Sequence, residues 1–138
     1  MRIKMETEYA LRCICFLAEQ QYFVCAAEIS EQMDIPTQVA ARVLSRLCRS
    51  GILEARTGQR GGHRLARPAN QITFYDILAS VGDLPELQRA QHREALPESV
   101  CALVGHADAR MLQLQQEIER RLRKITLSQL VKAKARQG

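Results

Sequence analysis

TQVAARVLSRLCRSGILEARTGQRGGHRL, residues 37–65, is the stretch on which the fold turns. Its first half, Thr37 to Ser50, places Val39, Val43, Leu44 and Leu47 on one helical face, with Gln38, Ala41, Arg42, Ser45 and Arg49 largely elsewhere. Gly51 then supplies a left-handed stop. In the second half, Ile52 to Arg56 is expected to form a strand, Thr57 to Gly62 a loop and His63 to Ala66 a return strand. Gly58, Gly61 and Gly62 permit positive φ and close backbone approach to a neighbouring surface, and they leave Gln59 and Arg60 at the tip.

Upstream, a helix is predicted over Ala26 to Met33, with Ala27 and Ile29 among its buried residues. Asp34-Ile35-Pro36 breaks it, because proline disfavours helical geometry in the residue before it. Two helices joined by so short a turn, the second amphipathic and basic, outline a helix-turn-helix, and a hairpin directly after it is a wing. Another amphipathic helix is expected from Thr7 to about Gln20, burying Ala10, Cys13 or Ile14, and Leu17. The expected fold class is mainly α with a small β-hairpin wing.

Charge points to the same stretch. Arg42, Arg46, Arg49, Arg56, Arg60, Arg64 and Arg67 face one acid, Glu54, a local net charge of +6 where the whole 138-residue chain carries +5. The remainder is near neutral, so the positive field is concentrated, as an anionic polymer requires of its binding face. Composition narrows the rest. The apolar fraction of 46% suffices for a core, but three Phe, three Tyr and no Trp mean a core of Leu, Ile, Val and Ala. Five cysteines, with no signal peptide and no apolar run able to span a bilayer, suggest reduced thiols in a cytoplasm and no membrane partner. No phosphate loop, Cys-His arrangement or carboxylate cluster supports an enzyme, and no catalytic residue is assigned.

After Pro68, Thr73-Phe74-Tyr75-Asp76 reads as a capping box opening a short helix through Val81. Gly82 to Gly105, with Pro85 and Pro97 as breakers, reads as irregular. From about Asp108 to Ile125, Met111, Leu114, Ile118, Leu122 and Ile125 recur at three- and four-residue steps. That narrow apolar seam, flanked by charges, suits a helix packed on a second helix, here assigned to dimerisation. Lys132 to Gly138 reads as a frayed basic tail. The division is a winged helix-turn-helix over 1–82, a sensor or effector loop over 83–106, and a dimerisation helix with tail over 107–138.

Several of these elements resemble the Rrf2 family of winged-helix transcription regulators, the group that includes IscR, NsrR and CymR. The resemblance is carried by Met1-Arg2-Ile3, Tyr9-Ala10-Leu11, Ala27-Glu28-Ile29-Ser30, the Leu44 to Leu53 run, Gly58 to Leu65, Ile72-Thr73 with Asp76-Ile77, and Ile125-Thr126-Leu127. It implies a homodimer that binds a partly palindromic operator in double-stranded DNA. Thr37, Gln38, Ala41, Arg42 and Ser45 would then face the major groove, with Arg42 suited to guanine, Gln38 to adenine and Ala41 to a thymine methyl. Arg46, Arg49 and Arg56 would contact phosphates, Gln59 and Arg60 would reach a minor groove, and His63 would pack or touch phosphate.

The resemblance also implies a sensor, and here the sequence departs from the pattern. Cluster-binding members place three cysteines before the dimerisation helix; this chain has Cys101 alone. Mixed ligation of an iron-sulfur cluster by Glu8, His92, Cys101 and His106 is chemically conceivable, but the spacing does not demand it. The expectation is a regulator without a conventional three-cysteine cluster, open to a small-molecule or protein effector. The alternatives are an iron-sulfur sensor with mixed ligation and a non-transcriptional winged-helix module for protein or RNA. Cys101 is the favoured single-thiol sensor, Cys25 sits in an accessible linker, and Cys48 and one of Cys13 and Cys15 are packing residues.

Overall fold

A computed structural model describes residues 3–86 and 96–137. Helix α1 (Met5–Ala18) is followed by α2 (Ala26–Met33) and α3 (Thr37–Arg49), then an antiparallel hairpin of β1 (Leu53–Arg56) and β2 (Gly62–Leu65). A 3-10 turn (Ala69–Gln71), α4 (Phe74–Ser80), α5 (Glu98–Leu122) and α6 (Leu127–Gln137) complete the described elements. The architecture is the expected winged helix-turn-helix, mostly helical.

The core is aliphatic. Ala10, Cys13, Ile14 and Leu17 of α1, Ile29 of α2, and Ala40, Val43, Leu44 and Leu47 of α3 are buried together with Ile52, Leu53, Ile72 and Ile77. In α2, Ile29 is buried as expected but Ala27 is exposed, and Ser30 takes the second inward position by donating its hydroxyl to the carbonyl of Ile35. Asp34 closes α2 in the left-handed conformation, φ 53°. Arg12 of α1 reaches that helix end and donates to the carbonyls of Met33 and Asp34, both at 3.3 Å. A cation therefore sits where α2 leaves its last carbonyls without intrahelical donors.

The wing is joined to the body by an isolated antiparallel bridge. Val24 and His63 exchange both backbone hydrogen bonds, at 2.9 and 2.8 Å. Gly62 makes this possible: a Cβ there would lie 2.2 Å from the carbonyl oxygen of Val24, and its φ is +143°. The surface that Gly62 approaches is thus the chain's own α1–α2 linker, whereas Gly61 is crowded by the carbonyls of Arg56 and Gly58 within the wing.

Past the wing, Thr73 and Asp76 form the expected capping box of α4, with reciprocal bonds of 3.1 and 3.0 Å. The C-terminal third differs from expectation. Helix α5 starts at Glu98, not near Asp108, because Pro97 serves as its N-cap and the exposed Gly105 is carried within it. Cys101 and His106 are consequently helical. The expected tail is also helical: Thr126 and Gln129 exchange capping-box bonds of 3.1 and 3.2 Å, and α6 follows from a fully buried Leu127. Ile125 leaves the α5 seam for the turn between the two helices, where its carbonyl accepts from Phe74 N–H at 2.7 Å.

Gly62→Ala should cost at least about 2 kcal/mol, since a methyl would be driven into backbone at a strained φ. Urea unfolding monitored by circular dichroism measures this; a variant as stable as wild type would mean that Val24 and His63 do not pair.

Candidate nucleic-acid interface

Helix α3 has two sharply different faces. Ala40, Val43, Leu44 and Leu47 are at most 1% exposed, whereas Thr37, Gln38, Ala41, Arg42, Ser45 and Arg49 are all exposed and Arg46 is half-buried. Val39, expected among the core residues, is only half-buried, and Ala40 takes the inward place. The outward residues are those assigned from sequence to the major groove and its phosphates. They stand clear of the core because helical geometry turns them away from the four that are buried.

The arginines do not share one environment. Arg64 pairs with Glu54 across the hairpin and stacks its guanidinium 4.3 Å from the Phe23 ring centroid. Arg56 approaches the same ring at 5.8 Å. Arg67 is tied to the Gln71 carbonyl and to Asp76, at 3.0 and 3.5 Å. Arg42 and Arg46 both lie beside Glu6 of α1. Among the described residues, Arg49, Arg56 and Arg60 carry no ion pair with an acid. Arg60 stands at the exposed wing tip beside Gln59, in the left-handed conformation with φ 64°. The +6 of the sequence is therefore partly spent inside the fold, and the outward charge is narrower than the count implies.

His63 differs from the other assigned residues. Its backbone is paired with Val24, its ring is half-buried, and its Nδ1 is enclosed without a hydrogen-bond partner. Burial pulls its pKa below the ordinary 6.5. It is a neutral residue of β2, at the point where the wing is fastened to Val24. Phe23, given no role by the sequence pattern, underlies two wing arginines; the signal available was the apolar run Tyr22-Phe23-Val24 in a short linker.

Of the residues weighed as cluster ligands, Glu8, Cys101 and His106 do not gather into one group among the described residues. Glu8 is engaged by Arg12 on the next turn of α1. Cys101 and His106 are five positions apart on α5, hence about 140° apart around its axis. The Cys101 thiol points back to the Leu96 carbonyl at 3.5 Å, and His92 lies outside the described residues. Among the described residues no three His, Cys, Asp or Glu side chains gather as around a metal ion. Glu8, Cys101 and His106 by themselves do not form a cluster site within one chain. Burial pushes the Cys13 thiol up to about 11 and raises that of Cys48, which suits packing residues; Cys25 and Cys101 are exposed.

On α5, Met111 and Ile118 are half-exposed and Leu114 is 52% exposed, while Leu122 is buried within the chain. Val100, Leu103 and Val104 extend the uncovered apolar surface through the turns that were expected to be a loop. No helix among the described residues is long and apolar enough to cross a membrane.

A helix-turn-helix with an exposed, basic second helix and an arginine-tipped wing defines the class of winged-helix proteins. The model of the Rrf2 family, described as iron-dependent transcriptional regulators, matches residues 3–133, and the chain belongs to that family. Relatives include the HTH-type transcriptional regulator IscR of Cereibacter sphaeroides, 33% identical over 85 residues, which are 59% of this chain and 55% of that protein. Protein aau3 of Rhizobium meliloti is 31% identical over 84 residues, 60% of this chain and 54% of its own. The chain thus spans about half the length of the curated relatives it matches. Among solved structures, CymR of B. subtilis, titled the global cysteine regulator, superposes with a TM-score of 0.69 at 17% identity, covering 96% of this chain and 98% of that one. T. potens IscR gives 0.68 at 20% identity, covering 96% and 88%. These likenesses establish the fold.

Because His63 is held with a lowered pKa, its neutral form stabilises the fold above 6.5, and that contribution is lost as the pH falls below 6.5 toward its folded-state value. Unfolding free energy should therefore decline on acidification from pH 7.5 to 5.5, and His63→Phe should flatten that decline. An unchanged pH profile in the variant would place the titrating group elsewhere.

Proposed function

We propose that this protein is a sequence-specific DNA-binding transcriptional regulator that acts as a homodimer on a partly palindromic operator, with repression by occupancy as its simplest output. The observation that carries this reading is the exposed face of α3, where Thr37, Gln38, Ala41, Arg42 and Ser45 all point away from the core. A helix that buries only Ala40, Val43, Leu44 and Leu47 leaves its opposite side free to enter a major groove. In this reading Arg42 reads guanine with two hydrogen bonds, Gln38 an adenine, and Ala41 a thymine methyl. Arg46, Arg49 and Arg56 set register on phosphates, and Gln59 with Arg60 enters the adjacent minor groove. The apolar face of α5 around Met111, Leu114 and Ile118 is the surface for the second copy, with Val100 and Val104 added to it. A cavity of about 550 Å³ against α5, lined by Leu84, Met111, Leu112 and Glu86, offers an effector a place beside that surface.

Two measurements test the reading. Arg42→Ala should weaken operator binding by about 1–3 kcal/mol and relax the preferred sequence, whereas Arg49→Ala should weaken all sequences alike and lower the salt slope by about 1. Electrophoretic mobility shifts on an enriched site and on unrelated duplex would show this; equal behaviour of the two variants would move α3 out of the groove. Leu114→Glu should convert the dimer to a monomer in analytical ultracentrifugation and weaken operator binding by about a hundredfold. A dimer unaffected by that charge would place its interface away from α5.

A further inference from the structure

The first turn of α1 reaches the recognition helix. Glu6 places Oε2 3.2 Å from Nη1 of Arg46 and Oε1 3.6 Å from Nε of Arg42. Its side chain is 27% exposed, against 61% for Arg42 and 40% for Arg46. Oε1 is shut off from solvent yet accepts no hydrogen bond. The carboxylate is thus held near Arg42 by charge and not by the aligned, two-pronged contact that makes arginine–carboxylate pairs strong. A loose pair of this kind contributes little and is readily exchanged. A phosphate or a guanine edge would offer the same guanidinium a better-aligned acceptor.

We propose that Glu6 is an internal competitor for DNA, a stand-in for phosphate that occupies Arg42 and Arg46 until a duplex offers both of them acceptors, and that it thereby sets the affinity of the reading helix. This rests on the DNA-binding reading above. On unrelated duplex only phosphate is available, Arg42 finds no base partner, and the pair with Glu6 is partly kept. On the cognate site Arg42 leaves Glu6 completely to make its base contact, so the whole cost of breaking the pair is set against binding. Glu6 therefore weakens binding to both kinds of duplex, and the cognate site at least as much as the unrelated one.

The test is a set of fluorescence-anisotropy titrations of wild type and Glu6→Gln against a mixed-sequence duplex and a duplex enriched from a randomised pool by the wild-type protein. Glu6→Gln should bind the enriched duplex about threefold to tenfold more tightly, and the mixed duplex more tightly by that factor or less, with a log–log salt slope on the mixed duplex steeper by up to about 0.9. The preference for the enriched duplex does not shrink. In an Arg42→Ala/Arg46→Ala background the glutamine should change neither affinity, an outcome that a merely structural role would not produce. No gain on the enriched duplex, or a larger gain on the mixed duplex than on the enriched one, would overturn the proposal. If the glutamine variant does not fold, Glu6→Asp, which draws the carboxylate back by one methylene, is read by the same criteria. A wild-type protein that enriches no sequence sinks the DNA-binding reading itself, and Glu6 with it; an enriched site on which Glu6→Gln matches wild type throughout sinks Glu6 alone.

Discussion

The rotational setting of α3 is the constraint from which the rest follows. Four side chains, Ala40, Val43, Leu44 and Leu47, are driven into a core shared with α1 and the wing root. Because each residue turns the helix by about 100°, a slip of one position would carry Arg42 toward the apolar side and bring Leu44 or Leu47 into water. Burying each of those leucines stabilises the fold by roughly 1.5–3 kcal/mol, so such a slip is closed off. The outward set is consequently as well fixed as the core itself, though none of its members helps to hold it. A surface can be rigid without contributing to stability when its residues alternate with ones that do.

That coupling explains which parts of the chain were legible. Residues 37–65 carry a helical period, a glycine stop and two short strands around a glycine-rich tip, and each local signal agrees with its neighbours. The fold class and the helix boundaries there follow directly. The C-terminal third was harder because its punctuation has two meanings. Pro97 reads as a breaker and is a beginning, since proline is compatible with the start of a helix while incompatible with its middle. Gly105 reads as loop and is tolerated inside a long helix at a cost of about 1 kcal/mol. The Thr126-Leu-Ser-Gln129 box is a helix start whose signal lies in the sequence itself.

Other features were not legible at all. The pairing of Val24 with His63 joins segments 39 residues apart in sequence, and it converts Gly62 from an adaptable residue into a required one. Glu6 with Arg42 and Arg46, Phe23 beneath Arg56 and Arg64, and Arg12 at the end of α2 are likewise long-range. Counting charges located the positive region but could not say which arginines were already engaged. In particular, Arg67 counts toward the sequence total yet is fastened to α4 through Asp76. Of the candidate interface, the residue identities were available from the pattern; their electrostatic state was not.

The junction between α5 and α6 has a consequence for distance. Ile125 is bonded to Phe74 at the head of α4, Leu127 N–H donates to the Ile72 carbonyl at 2.8 Å, and Leu122 and Leu127 are buried just before and after the turn. The long helix is therefore clamped to the body at its C-terminal end, while its apolar N-terminal turns extend from it. In a dimer built on α5, each reading helix then hangs from its own lever arm with a stiff root. The gap between the two reading helices is set by how the arms cross, and a small change in crossing angle is magnified at the tips into a mismatch with the fixed helical repeat of the duplex.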